Sequence, residues 1–371
     1  MVMADRSDVA TASPPVAALT LVGLGQNLLT GLARVPFVRP WQGPGNIVEN
    51  LGQAVTRQTI RSFMGYSLGL PIDEFRSMEK VIDDLCRVVM PAYVRQMDGV
   101  RITNEVIGGV PGLWCRRKPT GGVDDRVDGT ILYLHGGGYI GTSPMMYAAF
   151  AAAIARRTGC HIFIADYRMA PEFPFPAGVH DAAAVYTALL DQGIQSENLI
   201  VAGDSGGGGL AASLVSHLHA TGIHKPAALA LFSPETDLLL HQPSVAANAP
   251  YDILPWSIPT APYLHGIEPG DPLVSTVNAA LSPEWFPPVF VTSGSQEMFR
   301  DGIREFVANL RAAGVDVNAL EEEGMFHVFP ILMPWAGASR RVFRELDGFV
   351  DMHVRSRSYV DLGDDAESVR S

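Results

Sequence analysis

The chain has 371 residues, 47% of them hydrophobic, and carries a net charge of −12 at pH 7. That much apolar material can bury a large core, and that acidity argues against nucleic acid as a partner. Three scattered cysteines, Cys86, Cys115 and Cys160, with no CxxC pair, fit free thiols in a reducing, cytoplasmic compartment and argue against a metal site.

Residues 1 to about 14 are small and polar and read as disordered. Pro15 to Val35 is the most apolar run, but Gln26, Asn27 and several glycines weaken it as a membrane span. Asp5 and Asp8 spoil the basic start that a signal peptide needs. It reads as a cap helix in preference to a surface-seeking one, so membrane contact is left open and not predicted. The segment up to Gly69 is broken by Pro36, Pro40, Pro44 and many glycines. From Pro71 to Met97, Ile72, Phe75, Met78, Val81, Ile82, Leu85 and Val89 recur at helical spacing, and Pro91 should interrupt or end that helix.

Val100 to Val106 and Pro111 to Arg117 alternate as hairpin strands around Gly108-Gly109. After a polar turn, Gly121 to Gly129, the buried strand Thr130 to Leu134 ends in His135-Gly-Gly-Gly-Tyr139. Helix and strand then alternate: helix Tyr147 to Thr158, strand His161 to Ala165, helix Ala177 to Gln192, strand Asn198 to Ala202, helix Leu210 to Ala220, strand Ala227 to Phe232. His241 to Ser282 breaks the rhythm with seven prolines and reads as an insertion. The sheet resumes with strand Pro288 to Thr292, helix Asp301 to Ala313, strand Val315 to Leu320 and a last helix, Gly337 to Val354. Such alternation predicts an α/β fold, a mostly parallel central sheet with helices on both faces. Catalytic groups in such folds gather at the C-terminal ends of the strands.

Three places at strand ends carry chemistry. Gly203-Asp204-Ser205-Gly206-Gly207 joins a strand to a helix as a nucleophile elbow, which makes Ser205 the candidate nucleophile. The same five residues surround the serine of chymotrypsin-like proteases, but those are disulfide-bonded β-barrels whose histidine and aspartate precede it. Gly137 and Gly138, with Gly206, can offer backbone N–H groups to an oxyanion. His135, leading that glycine run, reads as a loop-fixing residue and not a base. His327 follows the last strand and fits the base, with Glu297 as the acid and Asp301, a helical turn further on, as the alternative. The order serine, acid, histidine is that of an α/β-hydrolase. His217 and His219, two apart on a helix, point to different faces and make a poor metal pair.

These motifs together resemble the hormone-sensitive lipase family of carboxylesterases. The likeness rests on His135-Gly-Gly-Gly-Tyr139, Asp166-Tyr-Arg-Met-Ala-Pro-Glu172, Phe175-Pro-Ala177, Gly203 to Gly207, Asp271-Pro-Leu273, Pro287-Pro288 and Gly324-Met-Phe-His327. In that family the residue after the nucleophile is usually alanine, where this chain has Gly206. The family's acid is usually an aspartate nine residues beyond a Pro-Pro pair, a count that lands on Glu297 and favours it over Asp301. The charged tail over 356–371 reads as flexible. The resemblance implies a helical cap from residues 1–95 and 241–282 on a catalytic domain over 96–355. It implies hydrolysis of short- to medium-chain acyl esters through an acyl-enzyme, with a small-molecule ester as substrate and no cofactor or metal. An acyltransferase or amidase on the same fold, or a non-catalytic ligand-binding homologue, are the alternatives. Trp256, Tyr263, Leu264, Phe299 and Phe329 are candidate pocket walls, and Asp166, Arg168, Glu172, Asp181 and Asp204 a structural network. Oligomeric state is open, a homo-oligomer included.

Overall fold

The computed structural model describes residues 9–37, 45–96, 99–118, 129–254 and 260–355. Trp256, the polar turn before Gly129, most of the first fourteen residues and the tail beyond Arg355 lie outside the described residues.

Three helices come first: α1 (Pro14–Arg34), α2 (Ile47–Ser67) and α3 (Ile72–Gln96). The Asn46 side chain accepts from the Glu49 N–H and caps α2. As a helix, α1 is long and apolar enough to cross a membrane by length and composition. It packs on α2 and α3, with Thr20 Oγ1 donating to Glu74 and the Tyr66 hydroxyl donating to the Thr20 carbonyl at 2.8 Å. Pro91 does not end α3, which continues to Gln96. The carbonyl that Pro91 leaves unbonded belongs to Arg87, in an exposed stretch where water can satisfy it.

The sheet has eight strands in the order β1-β2-β4-β3-β5-β6-β7-β8. β1 (Val100–Ile107) and β2 (Val110–Arg117) form the expected hairpin, with Gly108 and Gly109 both at positive φ. β2 meets β4 (His161–Ala165) antiparallel. From β4 onward the sheet is parallel through β3 (Thr130–Leu134), β5 (Leu199–Asp204), β6 (Ala228–Phe232), β7 (Val289–Gly294) and β8 (Val317–Glu322). The apolar runs of β3, β5, β6 and β7 are buried because helices cover the sheet, whereas the edge strand β8 is largely half-buried or exposed. α4 (Ala148–Thr158) packs against α11 (Gly337–Val350), and α5 (Ala177–Asp191) against α6 (Ser205–Ala220).

β8 starts two residues later than its apolar pattern suggests. Val315 closes the turn after α9 (Arg300–Ala312) by donating to the Leu310 carbonyl, and the strand then pairs with β7 as far as Glu322. The last helix is α-helical only to Val350 and finishes in a wider turn over Asp351–Arg355. Between β6 and β7 lie the short helices α7 (Pro243–Ala247) and α8 (Ala261–Leu264), in the segment read as an insertion; α10 (Phe329–Leu332) follows β8. β3 and β5 are neighbours with connections running to opposite sides, so their C-terminal ends form the switch point where such folds bind ligands.

Candidate active site

Ser205 is the first residue of α6 and has φ +52°, a strained value for a residue with a Cβ. The chain can make this turn only with glycines around it. A Cβ on Gly203 would lie 2.4 Å from the Gly207 carbonyl oxygen, and one on Gly207 would lie 2.2 Å from the Leu134 oxygen. The neighbouring Asp204 ties the elbow to β3. It accepts from the Tyr133 hydroxyl at 2.8 Å, the Gly136 N–H at 2.9 Å and the Tyr147 hydroxyl at 3.1 Å. Burial pushes this carboxyl up to about 6 against those three donors.

His327 bridges two partners. Its Nε2 is 2.9 Å from Ser205 Oγ and its Nδ1 is 3.0 Å from Glu297 Oε2. The other Glu297 oxygen accepts from the Gly294 N–H at 3.0 Å, and the Ser233 hydroxyl adds a further hydrogen bond. Burial raises the Glu297 carboxyl and lowers the His327 imidazole, so both groups resist separated charge until something in the site calls for it. Asp301 lies elsewhere: it accepts from the Ser244 N–H and pairs with Arg300 and Arg304. His135 is bonded through Nδ1 to Thr142 Oγ1 at 2.9 Å and its ring stacks on Tyr167, while His327 holds the serine.

Gly137 and Gly138 line the same cavity as Ser205 and His327. Both have positive φ, and a Cβ on Gly137 would come within 1.9 Å of the Gly141 oxygen. Gly206 sits directly against this loop, since a Cβ there would be 3.3 Å from the Gly138 Cα. The two loops that could supply oxyanion donors are therefore in contact.

One positioning residue has no signature in the sequence. Asp252, fully buried, accepts from the His327 N–H at 3.0 Å, the Met298 N–H at 2.7 Å and its neighbour Ile253 at 2.7 Å. It clamps the histidine loop and the acid loop to the 241–282 segment. Its negative charge also raises the His327 pKa, against desolvation. No spacing rule points to it, because it acts on backbone groups 46 and 75 positions away.

The cavity measures about 200 Å³. Its walls include Ile60, Phe63 and Met64 from α2, Leu68 just after it, Leu254 from the 241–282 segment, and Phe299, whose ring meets His327 edge-on. Of the walls expected from sequence, Phe299 is in place. Tyr263, Leu264 and Phe329 belong to the buried core, with Tyr263 stacked on Tyr139 at 3.8 Å. The α2 wall went unforeseen because its residues follow a stretch rich in proline and glycine. Arg168 forks onto Asp181, and Arg76 of α3 forks onto Glu172, which makes these groups a scaffold around the site. His217 lies beside His180, and His219 stacks on Trp285.

A serine, a histidine and a carboxylate in a row at the C-terminal edge of a parallel sheet define the class of α/β hydrolases. A sequence model of the alpha/beta hydrolase fold matches residues 131–331. An acetyl-hydrolase from Streptomyces hygroscopicus is 35% identical over 233 residues, 61% of this chain and 76% of that one. An esterase from Acinetobacter venetianus is 29% identical over 278 residues, covering 74% and 88% of the two chains. The crystal structure of an esterase from the bacterial hormone-sensitive lipase family superposes with a TM-score of 0.65 at 27% identity, covering 92% of this chain and 99% of the other. The chain belongs to the α/β-hydrolase fold family, in its hormone-sensitive lipase branch of esterases.

Proposed function

We propose that this protein is a serine carboxylesterase acting on short- to medium-chain acyl esters, with Ser205 as nucleophile, His327 as base and Glu297 as orienting acid. The observation that carries the reading is the single imidazole within hydrogen-bond reach of both Ser205 Oγ, at 2.9 Å, and Glu297, at 3.0 Å. Ser205 Oγ attacks the ester carbonyl carbon as His327 Nε2 takes its proton. The carbonyl π electrons move to oxygen, and the backbone N–H groups of Gly137, Gly138 and Gly206 stabilise the oxyanion. Collapse breaks the C–O bond, and the alcohol leaves with the proton from His327. Water then repeats the sequence on the acyl-enzyme and releases the acid and free Ser205.

Glu297 favours the imidazolium that forms in both steps by accepting from Nδ1–H. The cavity supports the preference for smaller acyl groups. At about 200 Å³ it falls below the roughly 300–1,000 Å³ of pockets that hold drug-sized ligands. We assign the cap to α1–α3 together with 241–282, since both segments contribute walls. A cytoplasmic location rests on the three cysteines, all free thiols. The test is a panel of p-nitrophenyl esters from acetate to palmitate. Turnover should peak at short or medium chains and vanish in Ser205→Ala; retained turnover in that variant overturns the assignment.

A further inference from the structure

Four buried carboxyl groups stand around Ser205 and His327, and three of them are filled with donors. Asp204 takes Tyr133, Gly136 and Tyr147. Asp252 takes Ile253, Met298 and His327. Glu297 takes Gly294 and His327. The fourth is Glu235, 2% exposed, whose Oε1 has no hydrogen-bond partner among the described residues. An unsatisfied buried carboxyl costs free energy comparable to a lost hydrogen bond or more, so it calls for a cause.

Its position supplies one. The Glu235 N–H donates to the Ser205 carbonyl at 2.9 Å, which fixes its backbone to the elbow itself. Glu235 is one of the residues that line the cavity containing Ser205 and His327. The rest of that lining is mostly aliphatic and aromatic. The polar groups nearest in effect are the Tyr139 and Tyr263 phenols, which feel its charge without bonding to it. With no cation to pair it among the described residues, such a carboxyl avoids ionisation. Burial and the nearby Asp237 push it up to about 8, so it holds its proton at neutral pH. A neutral carboxylic acid offers one O–H donor and one carbonyl acceptor.

We propose that Glu235 forms a polar subsite in the ester pocket, which selects esters whose otherwise apolar chain carries a hydroxyl or comparable oxygen function close to the scissile bond. The substrate oxygen accepts from the carboxylic acid O–H, and a substrate hydroxyl can donate to the other carboxyl oxygen. The proposal rests on the esterase reading above and deepens it. Such a site rejects the plain alkyl analogue because the buried carboxyl is then left unpaired.

The experiment uses the full chain as wild type, Glu235→Gln, Glu235→Leu and Glu235→Ala. The acyl arm compares p-nitrophenyl butyrate with p-nitrophenyl 3-hydroxybutyrate, and the alcohol arm compares butyl acetate with 3-hydroxybutyl acetate. In one arm the hydroxy-to-plain ratio of kcat/KM should exceed one in the wild type. It should fall roughly tenfold or more in the apolar variants and be largely kept in Glu235→Gln, whose carboxamide also donates and accepts. The arm that responds assigns the subsite to the acyl or the alcohol side. A melt gives a second readout, because removing an unpaired polar group should raise the Tm of Glu235→Leu, whereas loss of a structural contact would lower it. If Glu235→Leu does not fold, Glu235→Ala carries the ratio. A ratio unmoved by the apolar variants in both arms overturns the subsite even if every ester is hydrolysed. Thermal stabilisation by 1,3-butanediol over 1-butanol needs no turnover. If that preference is present and lost in Glu235→Leu while no ester is cleaved, the subsite stands and the esterase reading falls.

Discussion

Glu297, bonded to His327, and Glu235, bonded through its backbone to Ser205, are both buried and both raised by burial. Around Glu297 every oxygen has a donor, and the loop that carries it is held by Asp252 and Gly294. Around Glu235 the backbone is held, but Oε1 has no partner among the described residues, and the residue lines a mostly apolar cavity. The difference separates two tasks. In the roles proposed above, the locked glutamate orients one imidazole and the glutamate with an unpaired oxygen meets a substrate.

Substitutions on the locked side should produce the largest effects. Ser205→Ala and His327→Ala should each lower kcat by about 10⁶-fold, as loss of nucleophile or base does in other serine hydrolases, with the melting transition retained. Glu297→Gln should cost about 10⁴-fold in kcat, through the wrong tautomer, with little change in KM. A comparable loss in Glu235→Gln would erase the distinction between the two glutamates. Asp252→Asn turns a donor toward N–H groups that need an acceptor. It should destabilise the fold by about 1–3 kcal/mol per orphaned group in a denaturant melt and lower kcat by up to about 10²-fold through misplacement of His327.

Smaller effects sharpen the contrast from the pocket side. Met64→Trp narrows the α2 wall and should lower kcat/KM for p-nitrophenyl hexanoate relative to acetate by roughly tenfold, the worth of a methylene or two in a fitted pocket. A pH profile makes the least demand. Burial holds the His327 pKa below 6.5, so the base stays neutral beneath the pH at which a free imidazole protonates. The acid limb of kcat/KM should lie below pH 6.5 and move lower still in Asp252→Asn, which removes a charge that raises it. The unfolded chain takes up that proton first as pH falls, so this group's share of stability is present above 6.5 and is lost as pH drops toward the folded value.

The sheet and the elbow were legible because their physics is local. Alternation of apolar runs sets strands and helices, and contacts under 2.5 Å at Gly203 and Gly207 admit glycine alone. His327 and Glu297 could be anticipated from their place after strands. Asp252 could not, because its role is to bind backbone N–H groups of two distant loops, which leaves no spacing in the chain. Glu235 follows Pro234 with no local sign of burial; only the fold reveals that it lines the cavity and that its Oε1 has no partner among the described residues. The α2 wall was hidden for a different reason. Its residues follow a stretch rich in proline and glycine, which masks the helical period.

The central claim is that Ser205 is activated by His327 within a glycine-lined pocket. The direct test is intact-protein mass spectrometry after treatment with diethyl p-nitrophenyl phosphate, with peptide mapping of the adduct. One diethylphosphoryl group should be gained per chain, located on Ser205, at a rate that collapses in His327→Ala. A chain that hydrolyses esters while remaining unlabelled, or that carries the label on another residue, would contradict the account.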